Sequence, residues 1–368
     1  MNGKNVKILI LANHYLTLRV FRRELIQKLS KSHEVIISLP EDIKEYMDEL
    51  RSFGARLVYV KNMDRRAINP IEDLKLISEY KKLLKEEKPD KVITYTIKCN
   101  IYGAWACKSQ KIPCYCNVTG LGSAFNNGGL LRFVTSKMYK YSMNKAEKVF
   151  FENKGNEQTV LNMKLFKQSQ TYVLNGAGVN LEKFAFTPYP NDEDKITFLF
   201  FARIMKEKGV DELFYAIEKL SKEYNNLQFN FIGIYEDEYE EKVKELQSKG
   251  LIKYFGFQKN VVPFIQESNC VVLPSYHEGM ANTLLESASV GRPIITSDIY
   301  GCKEAVVDKK SGYLVKVQDK EDLYLKMKEF INLPYEQKVE MGKLARKHME
   351  DNFDKNDVVN ETISVIGL

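Results

Sequence analysis

The chain has 368 residues, 44% of them hydrophobic and 28% charged, with a formal net charge of +6. That composition excludes a disordered chain and supplies enough apolar material for two domains of ordinary size. No apolar run nears the roughly 18 residues of a bilayer span. The start, Met1-Asn2-Gly3-Lys4-Asn5, leads into a strand pattern without a signal-peptide core, so a cytoplasmic protein, peripheral to a membrane, is expected.

The charge is unevenly placed. Residues 1–170 carry 30 Lys and Arg against 17 Asp and Glu, whereas residues 171–368 carry 25 against 32. A basic first half suits nucleic acid, an anionic membrane surface or a phosphorylated acceptor. The six cysteines fit reduced core thiols: Cys114-Tyr115-Cys116 is a close pair, but no second pair completes a zinc set.

Val6 to Ala12 reads as a strand, Asn13-His14-Tyr15-Leu16-Thr17 as the loop after it, and Arg19 to Leu29 as one helix by the spacing of Phe21, Leu25 and Leu29. His33 to Leu39 is a second strand, Asp42 to Phe53 a helix, Arg56 to Val60 a third strand and Pro70 to Glu87 a long helix. Strands at Lys91 to Tyr95 and Pro113 to Val118 flank a further helix. This alternation predicts a parallel, doubly wound sheet. Thr119-Gly120-Leu121-Gly122-Ser123 is a glycine loop at a strand's carboxyl end, followed by a helix from Gly129 to Ala146. Its aromatic and apolar residues mix with Arg132, Lys137, Lys140 and Lys145, which suits a membrane surface or a core helix with solvated lysines. Lys148 to Glu152 and Gln170 to Leu174 are the last strands of this half.

Residues 175–194 read as a linker, and Asp192-Glu193-Asp194, although a loose D-x-D pattern, reads as a solvated charge run. A second α/β series begins at Ile196 to Ala202. It continues with a helix from Val210 to Tyr224, a strand from Gln228 to Ile232, a helix from Glu236 to Gln247 and a strand from Ile252 to Phe255. Cys270 to Leu273 is a buried strand, Ala281 to Val290 a small-residue helix, and Pro293-Ile294-Ile295 opens the next strand. Helices are expected at Asp319 to Asn332, Tyr335 to Met349 and Asn356 to Ile366. The expected domains are 1–180 and 181–355, with 356–368 a helix crossing back to the first.

Chemistry concentrates in two stretches of the second half. Arg203 and Lys208 stand five apart in a short loop after a strand, a fork and a point charge suited to a diphosphate. Glu278 and Glu286 bracket a strand-to-helix turn, with Gly279 between them allowing close approach of a ligand. The amides of Met280, Ala281, Asn282 and Thr283 are expected as unpaired donors at a helix start, a natural anion site. Both loops belong to one edge of one parallel sheet, where ligands of such sheets bind.

The Glu278…Glu286 spacing, the Arg203…Lys208 pair and the Gly291-Arg292-Pro293-Ile294-Ile295 stretch together resemble the retaining glycosyltransferases of family 4. The resemblance implies the GT-B fold: two Rossmann-like, doubly wound parallel-sheet domains around a cleft. Thr119-Gly120-Leu121-Gly122 also resembles bacterial members that build capsule or O-antigen polysaccharide on a polyprenyl-diphosphate carrier. By resemblance, Arg203 and Lys208 neutralise the diphosphate of a UDP-sugar without a metal ion, Glu278 contacts the donor sugar and Glu286 the ribose. The amides of Gly279 to Asn282 reach the sugar and phosphate, and Phe257 holds the base. No cofactor is expected; the UDP-sugar is a co-substrate.

The first half departs from the family pattern. A Gly-Gly loop after the first strand is replaced by Asn13 to Thr17, and a His-Asp motif by Asn117-Val118-Thr119-Gly120. His14, Thr119 and Gly120 are the acceptor-side candidates. His277 borders the motif without a clear role, and His33 and His348 read as structural. The expected function is transfer of a hexose or N-acetylhexosamine from a UDP-sugar to a lipid-linked glycan at the inner face of the membrane, with anionic lipid rather than nucleic acid as the neighbour. Two rivals share the architecture: a UDP-sugar epimerase, which needs no acceptor, and a non-catalytic partner subunit, which binds no donor.

Overall fold

The computed structural model describes residues 5–40, 44–61, 70–122, 125 and 129–368. The lead-in residues 1–4, the helix start at Asp42 and Ser123 of the glycine loop lie outside the described residues, as do the side chains of Leu130 and Leu131. The chain divides into two compact units, residues 1–177 with 358–368, and residues 178–357.

In the first unit the strands are β1 (Lys7–Leu11), β2 (Glu34–Leu39), β3 (Arg56–Tyr59), β4 (Lys91–Tyr95), β5 (Cys114–Val118), β6 (Lys148–Phe151) and β7 (Thr171–Val173). They pair in the order β3-β2-β1-β4-β5-β6-β7, all parallel; Leu9 lies opposite Ile36 on one side and Val92 on the other. The runs Ile8-Leu9-Ile10-Leu11 and Val35-Ile36-Ile37 are buried on both faces because helices cover both sides of such a sheet. The helix Lys355–Val365 carries the chain back to this unit, where Val359 and Ile366 join the core against Ile8 and Val35.

The second unit repeats the plan with β8 (Ile196–Phe201), β9 (Leu227–Ile232), β10 (Ile252–Tyr254), β11 (Cys270–Leu273), β12 (Ile294–Ser297) and β13 (Gly312–Val315), in the parallel order β10-β9-β8-β11-β12-β13. Strand order reverses between β1 and β4 in one sheet and between β8 and β11 in the other. Helices on either side of a reversal leave on opposite faces, so a crevice opens there, outside the strands' carboxyl ends. Both sheets are doubly wound, as the alternation predicts.

Several boundaries differ from the sequence expectation for physical reasons. The single helix expected from Arg19 to Leu29 is two, Tyr15–Phe21 and Arg23–Ser30, broken where Arg22 leaves helical geometry at φ −127° and ψ 8°. The helix expected from Glu236 begins at Glu240, because Glu236 and Asp237 serve the neighbouring loop. The segment expected as a linker is packed. Tyr189 donates its hydroxyl to the Asn269 carbonyl at 3.0 Å, and the carboxylate of partly buried Asp192 pairs with the buried Lys338 at 2.7 Å rather than being solvated. Arg292, fully buried, is satisfied by neutral acceptors, including Thr187 Oγ1 at 2.7 Å and the Gln266 carbonyl at 2.8 Å. Burial pushes its guanidinium down to about 10. A π-helical stretch, Cys99–Gly103, which no periodicity announced, follows β4.

All six cysteines are buried free thiols. In the helix Gly129–Met143, Tyr139 and Met143 are buried, whereas Phe133, Val134 and Tyr141 are exposed. Among the described residues no helix is long and apolar enough to cross a membrane.

Candidate active site

The reversal between β8 and β11 gathers the loops that carry the predicted donor residues of the second unit, Phe257 excepted. After β8 the chain makes a short 3-10 turn, Lys206–Lys208, and enters the helix Val210–Leu220 through Gly209. Gly209 sits at φ +71°, and a Cβ there would lie 2.1 Å from the Pro274 carbonyl oxygen. Only glycine allows this loop to press against the one after β11. The Tyr276 amide donates to the Glu207 carbonyl at 2.8 Å, and the Tyr276 hydroxyl reaches both oxygens of Glu212 at 2.8 Å.

That docking brings Lys208 and Glu278 together, although 70 residues separate them. Lys208 Nζ lies 2.5 Å from Glu278 Oε1, and the buried Ser275 hydroxyl donates to the same oxygen at 2.8 Å. Both charged side chains are about seven-eighths buried, at 13% and 14% exposed. A lysine and a carboxylate this close and this dry form a strong, preorganised pair. The sequence reading gave the two residues separate tasks and missed both their pairing and Ser275. The local signal for Ser275 was its position three residues before Glu278, on one side of a tight turn.

Arg203, half exposed, pairs with Glu236 across 3.1 Å. A bridge between Ile204 and Tyr235 and a bond from the Lys206 amide to Asp237 at 2.8 Å tie its loop to the one after β9. Its guanidinium therefore sits at the rim, on a longer tether than Lys208.

The helix Asn282–Ser289 starts at the same edge. It has no side-chain cap, so its first-turn amides are not consumed by one. Thr283 Oγ1 donates to the Phe201 carbonyl at 3.0 Å, which pins the helix start to β8. Met280 and Ala281 are buried in the core. The Ala281 amide, expected as an open donor, is already bonded to the Gly301 carbonyl at 2.8 Å, so the expectation fails there. Gly279 precedes them in the turn, and Asn282 donates its side-chain amide to the Met280 carbonyl at 3.3 Å. Glu286, two turns into the motif, is partly buried; burial pushes its carboxyl up to about 7, against Lys183 and Lys355, which pull it down. Phe257 lies beyond β10, two strands from β8, with its ring largely exposed.

The acceptor-side residues are less concentrated. His14 caps the helix Tyr15–Phe21, its Nδ1 accepting the Leu16 amide at 3.2 Å, and its ring stacks on Tyr15. Thr119 and Gly120 are half-buried at the carboxyl end of β5. His277 is exposed, whereas His33 accepts from the Val6 amide and His348 contacts the Glu304 carbonyl. What sequence reasoning missed in this unit is a buried ion pair at the same strand ends. Arg22 Nη2 meets Glu152 Oε1 at 2.7 Å.

Comparison with known proteins shows the family and the fold. Residues 182–348 match the family described as glycosyl transferases group 1, and residues 7–153 match that described as glycosyl transferase 4-like. The chain is 30% identical, over 94% of both chains, to the N,N'-diacetylbacillosaminyl-diphospho-undecaprenol alpha-1,3-N-acetylgalactosaminyltransferase of Campylobacter jejuni. It is 27% identical, over 75% of this chain and 74% of the other, to the UDP-Gal:alpha-D-GlcNAc-diphosphoundecaprenol alpha-1,3-galactosyltransferase of Escherichia coli. Among solved structures, Anabaena Alr3699/HepE in complex with UDP and glucose superposes with a TM-score of 0.80 at 15% identity, covering 99% of this chain and all of that one.

Proposed function

This chain belongs to the group 1 glycosyltransferases and has their two-domain GT-B fold, and from that membership we propose that it moves a hexose or N-acetylhexosamine from a UDP-sugar to a polyprenyl-diphosphate-linked glycan. The observation that carries the donor half is the Lys208–Glu278–Ser275 cluster beside the start of the helix Asn282–Ser289. The relatives whose names specify undecaprenyl-diphosphate acceptors carry the acceptor half.

Breaking the bond between the anomeric carbon and the diphosphate places positive charge on the sugar and negative charge on the leaving group. Lys208 is held where a diphosphate could share it with Glu278, and the tethered Arg203 adds a second cation from the rim. Such fixed charges in a dry site stabilise the leaving group as it forms. In this reading no metal ion is needed. Glu278, paired with Lys208, accepts hydrogen bonds from donor-sugar hydroxyls and lies where the sugar's positive charge develops. The first-turn amides of Asn282 and Thr283 face phosphate oxygens, where a helix start favours an anion. Glu286 takes the ribose hydroxyls, and Phe257 the base. Retention at the anomeric carbon follows from the family resemblance, as does a place in bacterial surface polysaccharide synthesis.

The first unit meets the membrane in this reading. The helix Gly129–Met143 contains no acidic residue, and its exposed Phe133, Val134 and Tyr141 alternate with Lys137 and Lys140. Aromatic and cationic side chains on one face suit the headgroup layer of an anionic leaflet, at the inner face of the cell membrane. The test is UDP release from a panel of UDP-sugars, with and without a short-chain prenyl-diphosphate N-acetylhexosamine. Acceptor-dependent release by the wild type, lost in Arg203→Ala and Glu278→Ala, supports the reading. Donor isomerisation without acceptor, or turnover untouched by both substitutions, refutes it.

A further inference from the structure

A parallel sheet is ordinarily covered by helices on both faces, and its strands are then apolar throughout. β8 obeys, with every residue from Ile196 to Phe201 buried. Its neighbour inside the sheet, β9, does not. Leu227-Gln228-Phe229-Asn230-Phe231-Ile232 alternates through its centre, and Gln228 and Asn230 are only half-buried. Phe229 and Phe231 serve one face, where Phe229 stacks on Phe198 and Phe231 on Phe214 of the helix Val210–Leu220. Gln228 and Asn230 belong to the other face. Register carries that polar stripe across three strands, because Thr197 lies opposite Gln228 and Lys253 opposite Asn230. The helix Asn282–Ser289 packs against β11 and β12, at the other end of the sheet.

The stripe lines a cavity of about 470 Å³, within the range of small-molecule sites. Asp194 and Lys195 before β8, Phe255 after β10 and Glu267 before β11 line it too. Thr197 and Gln228 are second in their strands, so the cavity lies towards the amino ends, whereas Lys208 and Glu278 follow the carboxyl ends. Its floor is held rigidly. Asn269, 1% exposed, accepts the Thr197 amide on Oδ1 at 2.7 Å and donates to the Pro190 carbonyl at 3.3 Å. Other polar groups of the floor are left open. Thr197 is 7% exposed, and its hydroxyl has no protein partner among the described residues. Asn230 Oδ1 is buried and has none either. Polar atoms taken from water without a partner destabilise the fold, a loss that hydrogen bonds from a ligand would offset.

We propose that this cavity is a further saccharide-binding site, separate from the donor edge. Its lining names the class of ligand. The acids Asp194 and Glu267 are balanced by Lys195 and Lys253, so neither an anion nor a cation is favoured. Amide and hydroxyl side chains offer donors beside acceptors, which complements sugar hydroxyls, each able to give and take a hydrogen bond. Phe255, 39% exposed and held by the edge-on ring of Phe264 at 5.0 Å, offers an apolar surface for a sugar ring. The choice of a sugar among neutral polar ligands rests on the reading of the chain as a glycan transferase, which works among saccharides.

The test is saturation-transfer NMR with free disaccharides of glucose, galactose and N-acetylglucosamine, on the wild type and on the double variant Thr197→Val, Asn230→Leu. The variant removes a hydroxyl and an amide at little change in size. The wild type should bind at least one disaccharide, and the variant should bind it about tenfold more weakly, with UDP affinity by calorimetry at the wild-type value. No binding of any disaccharide, or equal binding by the variant, overturns the proposal. If the variant does not fold, amide exchange of the wild type decides: the disaccharide should slow exchange at residues 191–195 and 253–257, and no slowing there overturns the proposal. The same disaccharide on farnesyl diphosphate separates the sources. Equal slowing by the free and linked forms supports a site for sugar alone, whereas slowing by the linked form alone makes prenyl diphosphate the ligand and overturns it. The two failures separate as well: disaccharide binding without turnover of any UDP-sugar breaks the transferase reading, whereas turnover without disaccharide binding breaks this proposal alone.

Discussion

The two sheets reverse strand order at equivalent places, yet they furnish those places differently. Between β8 and β11 the functional groups come from two short loops locked together by backbone contacts at Gly209 and Tyr276. The result is a cluster in which the Lys208 ammonium and the Ser275 hydroxyl share one Glu278 oxygen. Between β1 and β4 the groups come from a helix break and a segment past β6, and the resulting Arg22–Glu152 pair is only partly satisfied. On the proposed assignment the donor diphosphate, common to every substrate of one nucleotide type, meets a preorganised cluster.

The largest expected effect falls on the Lys208–Glu278–Ser275 cluster. Lys208→Ala and Glu278→Ala should each lower kcat/KM for the donor by about a hundredfold to a thousandfold, about 3–4 kcal/mol of barrier. Steady-state kinetics with the preferred UDP-sugar checks this, and a change below about fivefold in both would dissolve the contrast. Glu286 tests the same edge through pH. Its carboxyl, raised to about 7 by burial, favours the folded state while protonated, and that stability is lost as pH rises from the ordinary glutamate range through about 7. Glu286→Gln should remove up to about 3 kcal/mol of that loss. Urea unfolding at about pH 5 and pH 8 should show a flatter dependence in the variant, and parallel curves would refute it.

Gly209→Ala probes the lock between the loops. A left-handed alanine costs about 1–2 kcal/mol by itself, and its Cβ would collide with the Pro274 carbonyl. We expect destabilisation of at least about 2 kcal/mol together with loss of donor turnover; loss of stability with normal turnover would show that the contact does not position Lys208. Ser275→Ala removes one of the two bonds to Glu278 Oε1, so kcat/KM should fall about tenfold, about 1.4 kcal/mol, with Ser275→Thr recovering part of it. The smallest effect belongs to the first unit. His14→Ala removes a helix cap and should cost about 1 kcal/mol of stability, read by thermal melting, without changing the acceptor KM.

How legible each site was follows from the same difference. The strands of both sheets announced themselves as apolar runs, and the alternation with helices gave the doubly wound plan. The residues proposed for the donor were visible because Arg203 and Lys208 stand within one loop, and Glu278 and Glu286 within one turn and helix. Local spacing fixes where such side chains point. Arg22 and Glu152 are separated by 130 residues, and only the pairing order β1-β4-β5-β6 brings them together. Arg22 looked like one more cation on an amphipathic helix, since nothing in the period of Phe21, Leu25 and Leu29 marks a break there. Asp192 misled in the opposite sense: a run of three acids in a proline-bearing segment reads as solvated, but the buried Lys338 holds it. His14 drew attention as a lone histidine after the first strand, and the structure shows that its Nδ1 also caps the helix Tyr15–Phe21.

UDP binding by isothermal titration calorimetry to the wild type, Lys208→Ala and His14→Ala tests the central assignment most directly. The account predicts that the wild type binds UDP, that Lys208→Ala binds at least about tenfold more weakly, and that His14→Ala matches the wild type within error. Undiminished UDP binding by Lys208→Ala, with loss of binding in His14→Ala, would place the nucleotide in the first unit and contradict the account.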